Sequence, residues 1–113
     1  MENRNVLKNF IKLINVITDR PGMYMVNNVE DLALVIWGYK CACNAGDREL
    51  LENLMDDFKK NVNQRFETKE EIEWVRLFRF HGFGDGNTLS LFKLAFTEFI
   101  VSSCSEIMKD EAL

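Results

Sequence analysis

Residues 87–101 read Asn-Thr-Leu-Ser-Leu-Phe-Lys-Leu-Ala-Phe-Thr-Glu-Phe-Ile-Val, and no other stretch constrains the fold as much. Leu89, Phe92, Phe96 and Phe99 recur at steps of three and four, which stacks them on one side of a helix. Leu91, Leu94, Ala95 and Ile100 widen that side until only Ser90, Lys93, Thr97 and Glu98 are polar. A helix that is apolar over most of its girth must be surrounded by other elements. The segment is therefore expected to be the central helix of an all-α domain, with the earlier helices packed against it. It carries no chemically reactive side chain.

The rest of the chain supplies four more helices. Asn3 or Asn5 is expected to cap the first, which runs to about residue 18 with Val6, Leu7, Phe10, Ile11, Ile14 and Ile17 inward. Arg20 precedes Pro21 and is pushed out of the α region, which ends it. Pro21 and Gly22 suit the centre of a type II turn, and residues 23–25 then read as extended. Asn28 is a cap for a second helix over residues 29–45, in which Val29, Leu32, Ile36 and Tyr39 share a face that Val35, Trp37 and Cys43 broaden. Gly46 closes it, and Asp47 caps a third helix to about residue 61, with Leu50, Leu51, Leu54, Met55, Phe58 and Val62 inward. This tight join implies an antiparallel hairpin. Thr68 and Glu71 match a capping box, which opens a fourth helix to about residue 81 with Ile72, Val75 and Phe78 inward and Trp74 and Leu77 alongside. Residues 82–86 break that helix and lead into the central one. The sum is one five-helix, bundle-like domain over residues 1–113, its tail frayed beyond about 105.

Composition supports a packed core. Of 113 residues, 47% are hydrophobic, nine are phenylalanine and one is proline, which excludes a disordered chain. A chain of this length buries roughly two-thirds of its unfolded surface, so it needs no metal or disulfide to fold. The three cysteines, Cys41, Cys43 and Cys104, are an odd number without a signal-peptide pattern, which fits reduced thiols in the cytoplasm. No apolar run nears the roughly 20 residues of a membrane span.

The net charge of −4 is unevenly spread. Residues 30–73 carry eleven acids and six bases, whereas residues 1–29 carry two acids and four bases. An acidic surface disfavours nucleic acid and anionic membranes and favours a basic protein.

Signs of catalysis are weak. The glycine-rich 82–87 segment lacks the Gly-Lys-Ser/Thr ending of a phosphate loop, follows no strand, and contains Asp85, which repels phosphate. It reads as a helix–helix turn. His81, the single histidine, could pair with Asp85 as a general base, but no serine or cysteine nucleophile accompanies it. A histidine at a helix C-terminus ordinarily serves the last carbonyls. Cys41 and Cys43 lie two residues apart, roughly 200° around a helix, and cannot grip one metal ion together. The sequence thus gives no catalytic residue, metal site or cofactor.

Arg20-Pro21-Gly22-Met23-Tyr24 resembles a segment near the start of gyrase-type ATPase domains, but only over those five residues. Asp31, Asn44 and the Gly84-Asp85-Gly86 loop do not reproduce the ATPase pattern, so that reading is set aside. A broader resemblance covers most of the chain. The apolar first helix, the Arg-Pro-Gly-Met-Tyr segment, Gly38-Tyr39, Glu73-Trp74, Leu91-Phe92 and Glu98-Phe99 are together similar to the small helical immunity proteins of polymorphic and contact-dependent growth inhibition toxin systems. Val26 stands where those proteins have glycine. The resemblance implies a non-catalytic cytoplasmic protein that binds and neutralises a cognate toxin domain, often a nuclease.

Charge matching to a basic nuclease cleft picks out Asp47, Glu49, Glu52, Asp56 and Asp57 on the third helix and Glu70 and Glu71 beyond it as the expected partner-binding face. Residues 20–24 are assigned to turn structure. The alternative is a helical adaptor or regulatory protein with another protein partner.

Overall fold

A computed structural model describes residues 2–103. It contains α1 (Glu2–Asp19), a 3-10 helix (Pro21–Tyr24), α2 (Val29–Ala42), α3 (Ala45–Arg65), α4 (Trp74–His81) and α5 (Asp85–Ser103), with no strand among the described residues. The domain is all-α with five helices, as the periodicity implies. The tail beyond about residue 105, expected to fray, and Cys104 lie outside the described residues.

α5 touches α1, α2, α3 and α4, the central position expected of it. It shares that position with α3, which also touches every other helix. Leu89, Phe92, Phe96, Phe99, Ala95 and Ile100 are buried on α5, while Leu94 is exposed. The apolar girth is therefore narrower than the sequence suggests, because among the described residues no helix covers the side that Leu94 shares with Ser90, Lys93 and Thr97. From α3, Leu51, Leu54, Met55, Phe58 and Val62 enter the same core, joined by Phe10, Ile11, Ile14 and Ile17 of α1. Three ion pairs tie neighbours together at the rim: Lys93 with Asp19, Arg65 with Glu98, and Arg79 with Glu30.

Several local expectations are corrected by competing hydrogen bonds. Helix α1 runs from Glu2, so its backbone start lies before both expected cap positions. Pro21-Gly22 does not form a type II turn. Proline suits the first position of a helix as well as a turn, and Pro21–Tyr24 winds into a 3-10 helix. The left-handed residue is Met25, at φ 57°, whose N–H donates to the Gly22 carbonyl. Val26 then points into the core and donates its N–H to Pro21 at 3.0 Å, so the side chain that replaces glycine acts as an anchor.

Asn28 caps α2 as expected, its side chain accepting from Asp31 N–H at 2.8 Å. The join to α3 falls earlier than expected. Asn44, not Asp47, is the cap of α3: its Oδ1 accepts from Asp47 N–H at 2.8 Å, and Gly46 lies inside the helix. Arg48 then reaches back and donates to the Lys40 and Cys43 carbonyls, which satisfies the end of α2.

The capping box at residues 68–71 does not form. Asn63 outcompetes it: its Oδ1 accepts from the Thr68 hydroxyl at 2.7 Å and from Ile72 N–H at 2.9 Å, and its Nδ2 donates to the Ile72 carbonyl at 2.8 Å. Residues 68–73 are thereby strapped against α3 as a loop, and α4 starts only at Trp74. The inward set of α4 shifts accordingly to Trp74, Leu77 and Phe78, with Ile72 and Val75 half-buried.

Between α4 and α5, Gly82 fills a space with no room for a side chain. A Cβ there would lie 2.8 Å from the Phe78 carbonyl oxygen and 3.0 Å from the Thr88 methyl. Thr88 cannot retreat, because its buried hydroxyl accepts from Val29 N–H at 3.1 Å and donates to the Asp85 carbonyl at 2.6 Å. Gly82→Ala should lower stability by about 1–3 kcal/mol, read from the urea unfolding midpoint, whereas Gly86→Ala, with open space around it, should not.

Candidate functional site

Helix α3 carries its charge on the side away from the core. At about 100° per residue, Glu49, Glu52 and Asp56 fall within one narrow strip of α3, opposite Leu51, Leu54 and Phe58. The strapped loop brings further acids to its edge. Lys59 pairs with Glu73 at 3.4 Å and Glu71 at 3.6 Å, so both carboxylates stand beside the α3 strip. A shallow cleft lined by Glu52, Asp56, Lys59, Glu73, Trp74 and Lys40 joins the two parts. The result is a ridge built on two rigid supports: a helix anchored by five core side chains, and a loop pinned by both ends of one asparagine amide.

Lys59 offsets part of the charge of the ridge. Burial works to lower its pKa, but the hydrogen bond it donates to Glu73 and the charges of Glu73, Glu71 and Asp56 outweigh that and hold it above its ordinary value. Lys60 pairs with Asp56 at 3.4 Å. Acids still outnumber bases along the strip.

The seven acids expected to act together do not form one surface. Glu49, Glu52 and Asp56 share the ridge, and Glu71 joins it. Asp47 is roughly 200° from Glu49 around the helix, and its carboxylate accepts from Asn44 Nδ2 at 3.3 Å as part of the cap. Asp57 lies about 100° from Asp56. Glu70 lines a neighbouring depression with Glu67, Lys69 and Lys60, and Glu71 borders both that depression and the ridge. Glu73, which sequence reasoning placed inside a helix, is a ridge residue because the loop is not helical.

The histidine–aspartate pair also fails to assemble. Asp85 accepts from Arg79 at 2.9 Å, and His81 lies flat on Phe66, ring centroids 4.1 Å apart and planes 4° from parallel. His81 thus stacks on a ring instead of serving helix carbonyls. Cys41 is exposed and Cys43 half-buried, its thiol donating to the Tyr39 carbonyl at 3.3 Å. Among the described residues no group of three or more metal-ligating side chains converges, and no helix is long and apolar enough to cross a membrane.

A second surface was missed in the sequence. Leu34 and Trp37 of α2 are 67% and 62% exposed, and with Cys41 they form an apolar strip at three- and four-residue steps. Trp37 does not broaden the inward face: it is about 100° from Ile36 and turns outward. The signal lay in α2 being apolar on both sides.

Glu30, at the base of that strip, is fixed by Arg79 through bonds of 2.8 and 2.6 Å. The Arg79 hydrogen bond is the chief reason its carboxyl titrates below the ordinary value of 4.5. A depressed folded-state pKa adds stability that is complete above the unfolded value and disappears as pH falls through the folded one. Both side chains are two-fifths exposed, so solvent screens the pair and its contribution is small. Wild type should exceed Glu30→Gln in urea midpoint at pH 7, and the gap should close on acidification below the unfolded pKa.

Comparison with protein-family models, characterised proteins and solved structures finds no match for this chain.

Proposed function

We propose that this chain is an immunity-type protein, a non-catalytic domain that binds a cognate bacterial toxin domain in the cytoplasm and neutralises it one to one. The observation that carries the reading is the ridge of Glu49, Glu52, Asp56, Glu71 and Glu73 on a preorganised support. A nuclease toxin must hold a phosphate backbone and so presents a basic cleft. A fixed acidic ridge complements that cleft, speeds encounter, and loses little side-chain freedom on docking. The resemblance to helical immunity proteins supports the same reading.

A second reading, an adaptor for a different protein, is favoured by the uncharged Leu34–Trp37 strip, which is the surface chemistry of an apolar interface.

The test is co-expression. The C-terminal region of the toxin gene beside this one should arrest growth alone and lose that effect when this protein is present. Equal killing with and without it would defeat the proposal.

A further inference from the structure

Apart from the ridge, a cleft of about 480 Å³ opens between the start of α2, the strapped loop and α4. That volume falls in the range of small-ligand sites, about 300–1,000 Å³. Its apolar wall is Ile72, Leu77 and Phe80. Phe80 is 80% exposed, so the wall includes a phenyl ring that a ligand would remove from water.

The polar groups around the cleft are nearly all committed. Arg79 donates to Glu30 and Asp85, one cation shared between two carboxylates, and the Thr68 hydroxyl is given to Asn63. The face of His81 is taken by Phe66, and its ring nitrogens bond to no described residue. Among the described residues around the cleft, Arg76 is the one uncommitted cation. It lines the cleft one helical turn before Phe80, and its guanidinium makes no ion pair or hydrogen bond with any described residue. One unspent cation therefore stands beside an apolar wall in a protein that is otherwise acidic.

We propose that this cleft binds an amphipathic anion, an apolar body bearing a single carboxylate, with the body against Ile72, Leu77 and Phe80 and the carboxylate paired to Arg76. A guanidinium presents the fork of donors that a carboxylate accepts. A free medium-chain or aromatic acid and the C-terminal residue of a peptide both offer this chemistry. The inference does not depend on the acidic ridge binding a toxin.

Calorimetric titration of the full chain tests it, with octanoate, octanol, and a short peptide ending in phenylalanine as free acid or as amide. The acid of at least one pair should bind, and its uncharged counterpart should bind at least about tenfold more weakly. Arg76→Gln should weaken the acid about tenfold and leave the uncharged compound unchanged, while Phe80→Ala should weaken the acid through lost apolar contact. Both positions are exposed, so neither variant threatens folding. Preference for octanoate identifies a free acid as the source, and preference for the peptide identifies a chain terminus. Failure of both acids to bind, equal binding of acid and uncharged counterpart, or an Arg76→Gln titration identical to wild type would each overturn the proposal.

Discussion

Phe58→Ala should remove about 3–5 kcal/mol of stability. Folded domains hold only about 5–15 kcal/mol in total, so the variant should be partly unfolded near physiological temperature. Phe58 is fully buried on α3 and meets five rings: Trp74 and Phe78 of α4, and Phe92, Phe96 and Phe99 of α5, with centroids 5.2 to 6.3 Å away. Three of these contacts are edge-on, the geometry that adds to simple burial. Truncation would leave a cavity bounded by rings that are themselves held by several neighbours, so little collapse can follow. Urea unfolding followed by circular dichroism gives the value, with the exposed Leu94→Ala as a control expected within about 0.5 kcal/mol of wild type. A loss under about 1 kcal/mol would mean that α3 is not the hub of the core.

The second large effect concerns binding. Reversing Glu49, Glu52 and Asp56 to lysine should weaken the toxin complex at least about a hundredfold, mostly through a slower association rate whose salt dependence flattens. All three side chains are exposed and contribute nothing to the core, so the variant should still fold, with the Asp56–Lys60 pair lost. Asp57→Lys makes the discriminating comparison. It alters net charge in the same direction but points away from the ridge, and it should cost far less. Similar losses per charge from Asp57 and from the ridge would mean that overall charge, not this surface, governs binding.

How much of this was legible follows from what kind of signal each feature leaves. Long periodic helices announce themselves, and the inward residues of α1, α3 and α5 follow from three- and four-residue spacing with few exceptions. Leu94 of α5 is exposed and Leu50 of α3 stays outside the core, while on α2 Trp37 faces outward. Periodicity tells which residues share a side, not whether a neighbour covers it. Short-range capping was ambiguous where two polar residues compete. Asn44 and Asp47 were both fit to cap α3, and the earlier one prevailed because Cys43 already leaves α2 in an extended conformation. The capping box at residues 68–71 lost to Asn63, a residue on the preceding helix whose reach depends on how the chain folds back. That fold-back also decided the candidate site. It placed Glu71 and Glu73 beside α3, while the N-cap geometry withdrew Asp47 from it. A list of acids along the chain could not show which of them share a surface.

Hydrogen–deuterium exchange of this protein, free and bound to the toxin domain, reads the docking surface directly. Protection on binding should concentrate on residues 49–56 of α3 and on the 68–73 loop, with α2 near Leu34 and Trp37 unchanged. Protection confined to α2, with the acidic ridge still exchanging as in the free protein, would contradict the ridge as the binding face.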